Sequence, residues 1–113
     1  MSQITTHVLD TSLGKPVSGI EIILEKEEQT GPWTLLGKGT TNADGRLPGL
    51  VPDTQKLTPG NYRLLFATGA YHARIGVKGF YPSVTIAFEI KDDQHYHVPL
   101  LLNPYGYSTY RGS

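Results

Sequence analysis

The feature that most constrains this chain is a period of two in its apolar residues. In "GIEIILE" (19–25), Ile20, Ile22 and Leu24 share one face, while Glu21, Ile23 and Glu25 share the other. In "NYRLLFA" (61–67), Tyr62, Leu64 and Phe66 oppose Asn61, Arg63 and Leu65. In "SVTIAFEI" (83–90), Val84, Ile86, Phe88 and Ile90 oppose Thr85, Ala87 and Glu89. Side chains alternate across a β-strand, so each segment offers one apolar face to a core. "ITTHVLD" (4–10), "WTLLGKGTT" (33–41) and "YHVPLLL" (96–102) read as further strands, and "YGYSTYR" (105–111) as a weaker one. Turn chemistry separates them: "SLGKP" (12–16), "EEQTGP" (27–32), the Asp-Gly pair of "NADGR" (42–46) and "TPG" (58–60). Only "GAYHARIG" (69–76) suits a short helix. Short strands at this spacing point to an all-β sandwich. With 113 residues and no linker or repeat, residues 1–113 read as a single domain.

Composition removes several function classes. Ten Lys and Arg balance ten Asp and Glu, so no basic excess attracts nucleic acid or anionic lipid. There is no cysteine, hence no disulfide, thiol nucleophile or thiolate metal site. The start, "MSQITTHVLD", lacks a basic stretch followed by an apolar run, and no apolar run reaches the ~20 residues that span a membrane. The expectation is a cytoplasmic protein. Dinucleotide, phosphate-loop, zinc-protease and nucleophile-elbow motifs are absent.

The polar residues repeat the alternation. Ile4, Thr6 and Val8 share a face, leaving Thr5, His7 and Leu9 on the other. Tyr96, Val98, Leu100 and Leu102 oppose His95, His97, Pro99 and Leu101. If the apolar faces meet in the core, His7 and His97 point outward, together with Leu9, Ile23 and Leu101. Apolar residues among polar ones on an outer face suggest that a second subunit covers it. The same pattern also fits histidines that merely pack or face solvent. A metal held by His95 and His97 would need a third ligand such as His7, and no carboxylate shows ligand spacing. Arg46, after Asp44-Gly45, is either a solvated turn residue or a fork of donors for a planar, carbonyl-rich ligand. Trp33 and Tyr71 read as core or rim packing, with ligand contact as the alternative.

"THVLDTSLGKPVSGIEIILEK", "TTNADGRLPGL" and "HYHVPLLLNPYGYSTYRGS" together resemble the 5-hydroxyisourate hydrolase family, the transthyretin-related enzymes of urate breakdown. The resemblance runs from about Ile4 to Ser113, and the closing Tyr-Arg-Gly-Ser is its most specific element. It implies a transthyretin-like two-sheet β-sandwich of about 7–8 strands with one short helix. It implies a homotetramer with sites at the dimer–dimer interface. There the tail of one subunit, with Tyr110 and Ser113, would meet His7, Arg46 and His97 of another. The implied reaction is hydrolytic ring opening of 5-hydroxyisourate to 2-oxo-4-hydroxy-4-carboxy-5-ureidoimidazoline, with no cofactor and no metal. His7 and His97 would handle protons, Arg46 would orient the ring, and Tyr110 and Ser113 would complete the pocket. His95 would pack or support from behind. Two rivals accompany this reading: a carrier with an apolar channel, and a structural sandwich with a histidine patch.

Overall fold

The computed structural model describes residues 2–113. Eight strands and one helix follow in order: β1 (Ile4–Asp10), β2 (Lys15–Pro16), β3 (Glu21–Glu27), β4 (Trp33–Thr40), β5 (Gly60–Phe66), α1 (Thr68–Arg74), β6 (Val84–Ile90), β7 (Tyr96–Asn103) and β8 (Gly106–Thr109). They form two four-stranded sheets, β2-β1-β7-β8 and β4-β3-β5-β6. The alternating apolar residues do what their spacing requires. Ile4, Val8, Ile22, Leu24, Tyr62, Leu64, Phe66, Ile90, Leu100 and Leu102 are fully or almost fully buried between the sheets.

Most pairings are antiparallel hairpins or near neighbours, such as β3 with β4 and β7 with β8. The exception organises the molecule. β1 pairs with β7 in parallel, Thr5 opposite His97 and His7 opposite Pro99. A parallel pair cannot be closed by a tight turn, and here nearly the whole chain intervenes. "SLGKP" does more than turn: Lys15–Pro16 folds back as a two-residue edge strand on Leu9–Asp10.

Asp10 ends β1 and ties it to α1. One carboxylate oxygen accepts from the Ser12 backbone and hydroxyl and from the Leu13 backbone, while the other accepts from the Tyr71 hydroxyl at 2.6 Å. Burial alone would raise the Asp10 pKa; these hydrogen bonds outweigh it and hold the group below its ordinary value. Burial and the Asp10 charge push Tyr71 up to about 12.

Ile23 departs from the sequence expectation. It faces outward, half-buried, but on β3, in the sheet opposite the histidines. Alternation assigns a residue to a face; it does not say which sheet bears that face.

Candidate active site

The outer face of the β2-β1-β7-β8 sheet collects the polar residues singled out above. His7 stands on β1, half-buried. The "NADGR" turn docks against that strand: Val8 N–H donates to the Gly45 carbonyl at 2.8 Å, and His7 and Arg46 form an isolated antiparallel bridge. Asn42 holds the turn from within, its side-chain oxygen accepting from Asp44 and Arg46 N–H. Gly45 has φ 77°, and a Cβ there would lie 2.5 Å from the Val8 carbonyl oxygen. Only glycine permits both the left-handed backbone and this approach. The turn thereby sets exposed Arg46 beside His7.

His7 Nε2 lies 2.8 Å from the Asp44 carbonyl oxygen. A carbonyl only accepts, so Nε2 carries the proton, and in the neutral ring Nδ1 is the bare nitrogen. His97 is the reverse. Its Nδ1 is engaged, 2.8 Å from Thr5 Oγ1, while its Nε2 has no hydrogen-bond partner among the described residues. The two histidines therefore offer opposite ring nitrogens. Burial first, then the charge of Arg46, then His95 and His7, hold the His97 pKa below its ordinary 6.5, against a backbone hydrogen bond at Thr5. The ring is thus kept neutral at pH 7 and able to accept a proton.

The tail of the same chain lies along β7. Thr109 Oγ1 donates to the Pro99 carbonyl, and Gly112 N–H donates to the His97 carbonyl at 2.9 Å. A Cβ on Gly112 would meet His97 Cδ2 at 2.5 Å and Pro99 Cγ at 3.3 Å. The tail backbone is pressed onto the imidazole, and this is why Pro99, on the outer face, is buried. Arg111 anchors the segment, its guanidinium 4.3 Å from the centre of the Tyr96 ring. Tyr110 and Ser113 are exposed, and no hydrogen bond joins either to His7 or Arg46 of its own chain among the described residues.

The structure thus brings together His7, Arg46, His97 and the tail backbone. No hydrogen bond joins the Tyr110 or Ser113 side chain to either histidine within one protomer among the described residues. Sequence reasoning passed over Thr5 and Gly112. Thr5 stood on the right face beside His7, but its importance comes from the parallel register that sets it opposite His97. No group of three or more His, Asp or Glu side chains is arranged to hold a metal ion among the described residues. None of their helices is long and apolar enough to cross a membrane. Trp33 and Tyr71 lie away from this face: Trp33 stacks under Arg63, and Tyr71 serves Asp10.

Comparison with known proteins places this geometry. Residues 4–112 match the HIUase/Transthyretin family. A 5-hydroxyisourate hydrolase of Mus musculus is 46% identical over 99% of this chain and 96% of its own length. 5-Hydroxyisourate hydrolase 2 of Rhizobium meliloti is 47% identical over 98% and 96%. Among solved structures, 5-hydroxyisourate hydrolase of Klebsiella pneumoniae superposes with a TM-score of 0.85 at 38% identity, covering 97% of this chain and 98% of that one. Sea bream transthyretin in complex with thyroxine superposes with a TM-score of 0.92 at 27% identity, covering 98% and 95%. The backbone thus fits transthyretin and hydrolase alike, while identity runs higher to the hydrolases. With that match spanning nearly every described residue, the chain belongs to the HIUase/transthyretin family.

Proposed function

We propose that the protein is a 5-hydroxyisourate hydrolase, opening the six-membered ring of its substrate with water to give 2-oxo-4-hydroxy-4-carboxy-5-ureidoimidazoline. The observation that carries this reading is the pairing of two histidines whose unbonded ring nitrogens are opposite, Nδ1 of His7 and Nε2 of His97, beside one guanidinium, with no carboxylate bonded to any of the three among the described residues. His97 Nε2 accepts the proton of the attacking water, an effect worth about 10²–10⁴-fold in rate. Oxygen from water bonds to a ring carbonyl carbon, the C–N bond breaks, and the departing nitrogen takes back a proton. His7, with Nδ1 bare and its ring held by Asp44, is the second proton-handling group. Arg46 orients the planar substrate and stabilises charge growing on its oxygen.

Tyr110 and Ser113 complete the pocket from a neighbouring copy in a homotetramer whose sites lie at the dimer–dimer interface. Their exposure within one protomer supports this. So do half-buried Leu9 and Leu101 on the same outer face. The assembly is cytoplasmic and works without a cofactor.

The deciding experiment follows the absorbance of freshly generated 5-hydroxyisourate. Trace protein should speed its decay many-fold. Decay left unchanged by stoichiometric protein would overturn the reading and favour a carrier.

A further inference from the structure

We propose that Thr5 and His95 are positioning residues for His97, the Thr5 hydroxyl linking the two imidazoles so that His97 presents a deprotonated Nε2 to the outer face of the sheet beside Arg46 and His7. The proposal rests on the function given above and extends it to residues behind the site.

The geometry is a three-member chain. Thr5 Oγ1 lies 2.8 Å from His97 Nδ1 and 2.8 Å from His95 Nε2. The two rings stack with centroids 6.3 Å apart and planes 22° off parallel. A hydroxyl has one proton to give. It can therefore donate to only one of two neutral imidazoles and must accept N–H from the other. The two tautomers are coupled: fixing one fixes its neighbour.

Of the two directions, one suits a base. His97 Nδ1–H donates to Thr5, and Thr5 O–H donates to His95 Nε2. His97 Nε2 is then bare, and His95 carries its proton on Nδ1. His95 is exposed and lines a polar groove of about 460 Å³ with Ser2, Gln3, Lys56 and Asp93, so its Nδ1–H meets solvent. The chain thus runs from the site, past the start of β7, to water. When Nε2 takes a proton, Nδ1–H can pass to Thr5 and the Thr5 proton to His95 Nε2. The positive charge then moves from His97, which faces Arg46 and His7, to a solvated ring. The shift reverses when Nε2 returns its proton to the departing nitrogen, so each turnover leaves the chain as it began.

The test needs a readout that packing alone would not move. Imidazole ¹⁵N spectra of the full chain should show both His95 and His97 as Nδ1–H tautomers, although a free histidine side chain in water favours Nε2–H. Thr5→Val keeps the branched shape and removes the hydroxyl. It should return both rings toward Nε2–H and lower kcat about 10–100-fold, the usual loss when the partner orienting a histidine is removed. KM should change little, and Thr5→Ser should restore both signals. His95→Phe should lower kcat and displace the acid limb of the pH profile, in which Arg46, His7 and His95 are the charged or titratable groups facing His97.

Nε2–H on His97 in the wild type would overturn the assignment. So would Thr5→Val with unchanged spectra, or His95→Phe with wild-type turnover and pH profile. The spectra do not depend on turnover. The tautomers without hydrolysis would sink the proposed function and leave the chain standing, and hydrolysis without the tautomers would do the opposite.

Discussion

The two sheets present outer faces of the same make, polar residues alternating out of an apolar core, yet they spend their polarity differently. On the β4-β3-β5-β6 face, Arg63 is paired locally. Arg63 donates to Glu25 at 2.7 Å and lies 4.1 Å from the centre of the Trp33 ring. Its guanidinium is neutralised and covered. On the β2-β1-β7-β8 face, His7 binds a backbone carbonyl, His97 binds a hydroxyl, the Arg46 backbone N–H donates to the Asn42 side chain, and none of the three has a carboxylate partner among the described residues. Donors and bases left unneutralised can be lent to a ligand; an arginine already paired and stacked contributes to stability instead.

Four variants break or sharpen that contrast. The largest effect belongs to His97→Asn, which keeps a polar side chain but no base. Turnover of 5-hydroxyisourate should fall about 10²–10⁴-fold, with circular dichroism unchanged; undiminished turnover would remove His97 from the chemistry. Arg46→Gln comes next, at about 10²-fold in kcat, the scale of one lost transition-state donor. It has a pH signature as well. The Arg46 charge helps depress the His97 pKa, so the acid limb of the profile lies below 6.5 in the wild type. Losing that charge favours the protonated ring, raises its pKa and moves the limb toward neutrality.

Tyr71→Phe should leave kcat alone and cost about 1–3 kcal/mol, because a buried carboxylate oxygen of Asp10 loses its donor. The sign with pH follows from the depressed Asp10 pKa. Its stabilisation is present above the unfolded value of 3.8 and lost as pH falls through the folded one. Tyr71→Phe should therefore bring acid unfolding to higher pH, as thermal melts across an acid series would show. Arg63→Ala should be the mildest, at most about 1 kcal/mol in stability and nothing in turnover. A substantial kcat loss there would mean that the two faces are not separate in function.

Legibility in the sequence followed the physics. Strand faces were readable because alternation has a fixed period: Ile20, Ile22 and Leu24 are buried as their spacing demands. The helix expected at 69–76 forms at Thr68–Arg74. His7, Arg46 and His97 share a face because β1 and β7 run side by side and the Asp-Gly turn docks on β1. Alternation supplied only the outward direction of His7 and His97; that they meet Arg46 came from the resemblance. Ile23 was assigned to the histidine face because a period carries no information about strand order. Thr5 and Gly112 were passed over for a related reason. Each matters through a neighbour about 90 residues away or across a chain reversal, which no local pattern encodes.

The parallel pairing of β1 with β7 has a consequence for the life history of the molecule. Thr5 and His97 are 92 positions apart, so the two strands that carry the histidines meet only after all the residues between them have been synthesised. Contacts of such separation form late and slowly, on the order of milliseconds to seconds for β-rich topologies. A nascent chain on the ribosome holds fragments of a sandwich and nothing that could touch a purine-like ring. Competence waits for β7 to pair with β1.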